Sequence, residues 1–522
     1  MNLYFLHSSA APMTKTFSWL PLALCSLALP ASISMAPVQA QVPGFCHSPA
    51  GEAKAKLSLL RAAIAGDTEA QRAYDRQVAE DARELQQCRA RNWPQNQAIW
   101  LRLHECDLEP GVLDTLLDRI VSRGYNQVYV EVFYNGRVLL PSSNNPTAWP
   151  SEIRNPKYAN RDLLAEAIQK GRARGLKVYA WMFSLNYGHP YTQRPDRQSA
   201  MARNGYGQTS LTLNDHTDAS ISLDGDIDNA FVDPYSPQAR QDYAQMLQAI
   251  LQRRPDGVLF DYIRYPRQKG AASVSSKLND LWIFGNAAQQ ALINRATNQK
   301  GRTVIQRYLQ QGRISAGELK SIDAQYPQEK AALWQGRNLP SSQLPPIDIR
   351  TTRLNWDLWL LSVAHAYQGI VDYLSIFATT SMRQGIPAGA AFFPDANRRI
   401  GKGYDSRMQP WHRFPKNIEW HAMSYGTCGD TSCIVQQVEQ VLQRTSAAQV
   451  KPVIAGQWGR AFRSRPSLEV QMAAIRRVAP QIRTVSHFDF SWQDPQFANA
   501  RRSCRVTLLP GEDNVQSSIV PE

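Results

Sequence analysis

Residues 255–266 read Pro-Asp-Gly-Val-Leu-Phe-Asp-Tyr-Ile-Arg-Tyr-Pro, and this dozen has the form of a buried strand that ends in a carboxylate. Asp256-Gly257 is a turn signal, Val258, Leu259 and Phe260 form an apolar run with strand propensity, and Pro266 cannot extend a central strand. The strand therefore stops near Asp261. A charge at the end of an enclosed strand is costly unless it is hydrogen-bonded or faces a cleft. At the carboxyl end of a barrel strand it faces the chemistry. Asp261 is thus either a catalytic carboxylate in a pocket or a structural one, paired with Arg264 or a backbone amide.

Outward from this stretch the chain alternates strand and helix, the mark of a parallel sheet. Eight candidate strands follow one another: Ala98–Leu103, Gln127–Phe133, Lys177–Phe183, Gly257–Asp261, Ala388–Phe393, Ile418–Ser424, Lys451–Gln457 and Thr484–Phe490. Helical periodicity separates most of them, over Gly111–Gly124, Asn160–Gly175, Ser236–Arg253, Thr351–Phe377, Ser432–Arg444 and Ser467–Ile482. Ser236-Pro237 opens the third of these as a cap with proline in the first turn. Closure removes the exposed edges that an open sheet would leave, so the expected fold is α/β, a (β/α)8 TIM barrel over 95–495. A small N-terminal helical extension (41–94) precedes it and a C-terminal tail (496–522) follows. Two connections exceed simple turns: 184–233, rich in Asn, Gly and Asp, and a helical insertion at about 276–346 after the fourth strand. Both are candidates for shaping a groove at the mouth.

Residues 1–40 hold no acidic residue and one lysine, Lys15, followed by an apolar run and then small residues ending at Ala40. That is the layout of a secretory signal peptide cleaved after Ala40, and it predicts a periplasmic or secreted protein. Beyond it no stretch approaches the roughly 20 apolar residues of a membrane span. The 522 residues carry a formal charge of +14. No nucleic-acid motif accompanies that surplus, and export favours an acidic glycan or cell-wall partner. Six cysteines lie past the leader, Cys46, Cys88, Cys106, Cys428, Cys433 and Cys504. An even count in an exported chain points to disulfides. Six cysteines allow 15 pairings and the sequence does not choose among them: Cys428 and Cys433 lie close enough to staple one loop, Cys46 with Cys88 could tie down the N-terminal helices, and Cys106 with Cys504 would then be left to join the two ends of the domain; the spacing fits no zinc site.

Strand parity assigns faces. In the second strand Val128, Val130 and Val132 suit the helix layer, which turns Tyr129, Glu131 and Phe133 inward. Tyr179, Trp181 and Phe183 share a face of the third strand. Glu419, His421, Met423 and Tyr425 share one of the sixth, and His487 and Asp489 one of the eighth, with Trp492 just beyond. Asp261, Glu131 and Asp489 would then converge on one mouth. Paired carboxylates suit glycoside hydrolysis, one protonating the leaving oxygen while the other attacks or activates water. Flat aromatic rings suit sugar faces. Each residue also has a plainer reading, as core or as a satisfied interior pair. Asp224-Gly225-Asp226-Ile227-Asp228 lacks the glycine and glutamate of a calcium loop, Gly401-Lys402-Gly403 is no Walker sequence, and no Gly-x-Ser-x-Gly turn occurs. No metal and no cofactor is expected.

Asp256 to Pro266, with the preceding Val232-Asp233-Pro234-Tyr235-Ser236-Pro237-Gln238-Ala239-Arg240, resembles the bacterial glycosyl-hydrolase-like family ten. Tyr125 to Val132, Val178-Tyr179-Ala180-Trp181 and Ala422-Met423-Ser424-Tyr425 are further matching pieces, and the likeness runs from about Ala98 to Trp492. Two departures stand out: Tyr262 follows Asp261 where the family has a second aspartate, and Ala422 stands where it commonly has proline. The resemblance implies a TIM barrel acting on O-glycosidic bonds of bacterial envelope glycans. The expected catalytic residues are Asp261 with Glu131 or Asp489, and the expected substrate contacts are Arg264, Tyr265, Trp181, Asn186, His421, Tyr425 and Trp492. The substrate reading is an envelope polysaccharide or the glycan strands of peptidoglycan. The second reading is a non-catalytic carbohydrate- or wall-binding protein on an enzyme-derived barrel. Sugar, linkage and oligomeric state stay open.

Overall fold

The computed structural model describes residues 45–213, 229–337, 344–506 and 508. The leader (1–40), the acidic 224–228 stretch and most of the C-terminal tail lie outside the described residues. Eight parallel strands appear in the expected order: β1 (Asn96–Arg102), β2 (Gln127–Tyr134), β3 (Lys177–Phe183), β4 (Gly257–Asp261), β5 (Ala388–Phe392), β6 (Glu419–Ala422), β7 (Val453–Ala455) and β8 (Thr484–Phe488). Each pairs with its neighbour in sequence, and β8 pairs with β1. The ring closes between β6 and β7 through bridges at Trp420 with Val450 and Met423 with Val453. The Ser424 amide donating to the Val453 carbonyl (2.9 Å) is part of that seam. The expected (β/α)8 barrel is the observed fold.

The helices form where apolar spacing and caps coincide. Among them are α1 (Ala50–Ile64), α2 (Thr68–Arg91), α3 (Val112–Ser122), α4 (Leu163–Ala173), α5 (Pro237–Leu251), α6 (Ile347–Arg383), α7 (Ser432–Leu442) and α8 (Leu468–Val478). On α5 the Ser236 side chain accepts from the Ala239 amide, and Ala239, Tyr243, Met246, Leu247 and Ile250 are buried on one face. Between β4 and α6 three short helices, Asn286–Ile293, Gln299–Gln311 and Ala316–Gln325, build the insertion. It is tied to α6 by His365, whose ring stacks on Tyr235 at 4.3 Å and accepts from Arg295 Nε at 3.0 Å. None of the helices among the described residues is long and apolar enough to cross a membrane.

Both ends of the described chain are fastened to the barrel. The fully buried Arg89 of α2 donates to the carbonyls of Gly124 (2.8 Å) and Pro94 (3.2 Å) and to Gln97 Oε1 (3.1 Å), sealing the amino ends of β1 and β2. Cys46–Cys88 reinforces that seal, Cys106–Cys504 joins the two termini of the barrel, and Cys428–Cys433 staples the loop after β6. The structure holds the Cys428–Cys433 loop staple, the Cys46–Cys88 tie and the remaining Cys106–Cys504 pair.

The interior is an aromatic stack. Trp100 meets Trp181 edge-on at 4.7 Å and Tyr129 at 5.3 Å, and Tyr129 continues to Tyr179 and His421, each at 5.3 Å. Such rings fit only because the facing positions on β4 and β5 are glycines. A Cβ on Gly257 would lie 2.2 Å from Tyr179 Cε1, and one on Gly389 would lie 2.9 Å from His421 Cδ2.

Two inward expectations are corrected. Phe133 does not face the axis: the β2–β3 register shifts between Glu131 and Phe133, and the bulge turns its ring onto Trp149 at 4.8 Å in the helix layer. His487 is also outward. Its Nδ1 is 2.8 Å from the Tyr125 hydroxyl and its ring 5.2 Å from Trp458. Phe488 is the inward residue there, and Asp489 belongs to the cap of the next helix rather than to the strand, so its parity says nothing about His487.

Gly257→Ala should lower unfolding free energy by about 1–3 kcal/mol through overpacking against the Tyr179 ring. Gly51→Ala, on α1 with open space around it, should be neutral or stabilising by up to about 1 kcal/mol. Urea melts of the two variants check the contrast.

Candidate active site

The carboxyl ends of the strands enclose a cavity of about 470 Å³, within the size range of small-ligand sites. Asp261 and Asp489 both line it, with Trp181, Tyr425, Trp492 and Arg264. Six of the expected site residues therefore share one mouth.

Asp261 ends β4 at 7% exposure, and each of its carboxylate oxygens accepts a hydrogen bond: Oδ2 from Trp181 Nε1 at 3.1 Å, Oδ1 from the Tyr262 amide at 2.6 Å. The second contact needs an unusual backbone. Tyr262 sits in the left-handed region at φ 52°, which turns its N–H back onto the preceding carboxylate and lays its ring 4.1 Å from Phe183. The Arg264 guanidinium then stacks 4.5 Å over the Tyr262 ring. Two donors aimed at one carboxylate suit a group that works as an anion.

Asp489 follows β8. Its Oδ1 accepts from Ser491 Oγ at 2.5 Å and from the Trp492 amide at 3.3 Å. Burial nonetheless raises its carboxyl above the ordinary aspartate value, against those hydrogen bonds and the Arg102 charge. Tyr425 stands near both acids: burial and then the charge of Asp261 push its hydroxyl well above the usual phenol value, so it stays a neutral donor. That hydroxyl is buried and has no partner among the described residues, while Arg465 fixes the same residue's carbonyl with bonds of 2.9 and 3.2 Å.

Glu131 is 1% exposed and lies beneath the mouth, paired with Arg102, which does line the cavity. Burial pushes its carboxyl up to about 8 against the pull of Arg102, and Asp261 and Asp489 add to the rise. Its second oxygen is buried with no partner among the described residues.

Three expected contacts sit elsewhere. His421 is wholly buried in the barrel, with Nε2 3.1 Å from Glu419 Oε2, because its inward parity lands it in the layer below the mouth. Tyr265 is fully buried on the insertion side, where burial, Asp233 and Tyr235 hold its hydroxyl protonated; past the turn at Tyr262 the backbone no longer keeps strand alternation. Asn186 spends its amide tying loop to loop, donating to Asn229 Oδ1 (2.6 Å) and accepting from the Ala230 (2.9 Å) and Gly188 (3.2 Å) amides.

Other lining residues escaped the sequence reading, among them Trp100, Arg102, Tyr262 and Phe488. Arg102 had a visible signal, a charge closing an apolar strand just as Asp261 does. Asn499, Arg501 and Arg502 had none: they reach the mouth on the helix Pro495–Arg502, which Arg501 anchors by donating to both oxygens of Asp107 (2.7 and 2.6 Å).

Residues 98–311 match the family model described as Glycosyl hydrolase-like 10. Over that span the resemblance read from the fourth-strand motif holds, and the matched segment is glycosyl-hydrolase-like, the enzyme class expected; the sixth-strand piece lies beyond it. No curated protein matches the chain. Among solved structures, the glycoside hydrolase domain of PgaB (BpsB) from Bordetella bronchiseptica is 14% identical, covering 79% of this chain and 99% of that one at a TM-score of 0.45. A GH18 chitinase from Pseudoalteromonas aurantia is 10% identical, covering 78% and 99% at a TM-score of 0.31. A GH20 exo-β-N-acetylglucosaminidase from Vibrio harveyi is 9% identical, covering 82% and 56% at a TM-score of 0.35. At these scores the likenesses carry no argument.

An acid whose folded value is raised contributes stability that is fully present below about 4.5 and lost as pH rises through about 8. Melting temperatures of the wild type should therefore fall across that window, and those of Glu131→Gln should fall less, as measured by calorimetry from pH 5 to pH 9.

Proposed function

We propose that the chain is an exported glycoside hydrolase that cleaves O-glycosidic bonds in a bacterial envelope glycan, with Asp261 and Asp489 as the working pair. The observation that carries this is the meeting of two carboxylates from β4 and β8 in one aromatic-walled cavity at the carboxyl ends of the strands. The hydrogen bonds from Trp181 and Tyr262 favour Asp261 as the ionised partner that faces the anomeric carbon or its attacking water. The raised carboxyl of Asp489 favours it as the proton donor to the leaving oxygen. Tyr425 offers a hydroxyl to the bound sugar, Trp181 and Trp492 offer ring faces, and Arg264 offers a stacked guanidinium. Glu131, held by Arg102 below the mouth, supports the charge balance of the pair rather than touching sugar. Export is supported by the layout of residues 1–40 and by three disulfides, which persist in oxidising compartments.

Incubation with a panel of bacterial wall glycans and exopolysaccharides should yield new reducing ends. Asp261→Asn and Asp489→Asn should each lower kcat/KM by about 10²–10⁴-fold with unchanged melting curves. Retention on the glycan without any new reducing ends, in wild type and variants alike, would favour the binding-protein reading instead. Activity should also fall as pH rises through the raised Asp489 carboxyl, and a pH–rate profile tests that limb.

A further inference from the structure

The face opposite the mouth, made by the amino ends of the strands, is ringed with cations that form no ion pair within 4.0 Å among the described residues, with Glu419 the one carboxylate acting on Lys177 and Lys451 from further off. Lys177 opens β3, and Arg254, Lys416, Lys451 and Arg483 stand in the turns that lead into β4, β6, β7 and β8. Arg383 closes α6, Arg444 lies just past α7, and Arg476 and Arg477 occupy the last turn of α8. Lys451 is half-buried and the others are exposed. Other arginines, two of them in the same turns, are paired instead: Arg119 with Asp494, Arg174 with Asp118, Arg253 with Asp162 and Arg501 with Asp107. Of the acids at the strand starts, Asp256 is engaged by Arg172 and the Val178 amide, while Glu419, hydrogen-bonded to His421, offsets part of the charge of Lys451 and Lys177 and leaves the other basal cations uncompensated.

The basal cations are close enough to feel one another. Lys451 is held below its usual value by burial first, and then, against the pull of Glu419, by the charges of Lys177 and Arg483. Helix dipoles account for the arginines at the ends of α6, α7 and α8. They do not account for Lys177, Lys416, Lys451 and Arg483, which stand on strands or turns. Like charges gathered without partners weaken the fold through self-repulsion unless something outside neutralises them.

We propose that this face docks on an anionic lipid surface and so turns the mouth away from the bilayer. The cations spread around the open base from β3 to β8 instead of lining a groove, a layout that matches a sheet of headgroups better than a single polymer strand. An exposed apolar side chain, Val478 at 42% exposure, stands beside Arg476 and Arg477 at the end of α8, as in proteins that rest on a bilayer interface. The part of the base under β1 and β2 is covered by α2 through Arg89. The proposal does not rest on the glycosidase reading.

Co-sedimentation of the full chain with vesicles of phosphatidylcholine alone, or of phosphatidylcholine with one third phosphatidylglycerol, tests it. Binding should require the anionic lipid and weaken with added salt. A triple variant, Lys177→Gln with Lys416→Gln and Arg483→Gln, should bind about a hundredfold more weakly, about fivefold for each charge lost. Its melting temperature should stay level or rise as the self-repulsion is relieved, and the activity at the mouth should be unchanged. A control triple on the insertion that follows the carboxyl end of β4, Arg313→Gln with Lys320→Gln and Lys330→Gln, all exposed, should retain binding. Equal binding to neutral vesicles, an equal loss in the control, or binding to soluble polyphosphate with none to anionic vesicles would each overturn it.

Discussion

A closed ring of eight strands has an inside that must be filled, and filling it governs everything above and below. Here the plug is aromatic. Trp100, Tyr129, Tyr179, Trp181 and His421 interlock edge to face across the axis. Rings of that size leave no room for a side chain opposite, hence the glycines at 257 and 389. The apolar plug also separates two polar layers: Glu419 with His421 underneath, and the carboxylates with Arg102 above.

That separation creates the site. Carboxylates on top of an aromatic floor lose water on one side and retain it on the other, so their charge is costly but not prohibitive. Each is supported differently. Asp261 draws on an indole N–H and a backbone N–H turned by the strained Tyr262, Asp489 on a helix cap, and Glu131 on Arg102. Acids close together but differently supported hold protons with different strength, which is what acid and base roles on one bond require.

The fastenings around the barrel serve the same mouth. The Asp107–Arg501 pair and the Cys106–Cys504 bridge pin the last helix beside β1, bringing Asn499 and Arg502 to the cavity wall. The Cys428–Cys433 staple closes a loop whose Gly429 amide donates to the Ser464 carbonyl (3.2 Å), next to the Arg465 that orients Tyr425. Three of the barrel's irregular segments are thereby made into fixed walls.

Strand order and the barrel itself were legible along the chain, because strand periodicity and turn residues are local properties, whereas of the cysteine pairs only Cys428 with Cys433 had the short separation that marks a pair in sequence. So was the placing of Asp261 at a strand end, since Asp256-Gly257 and Pro266 bracket it within a dozen residues. Parity then carried Trp181 and Tyr425 to the mouth. It failed for Phe133, where one bulged residue reversed the face, and for His487, where the strand ended two positions earlier than the counting assumed and Asp489 no longer shared its alternation. His421 had the right face at the wrong depth, because alternation reports direction and never height along the axis. The wall contributed by the final helix belongs to a contact between segments hundreds of residues apart, and the pairings of Arg102 with Glu131 and of Trp181 with Asp261 join different strands, so only the closed ring brings them to one mouth.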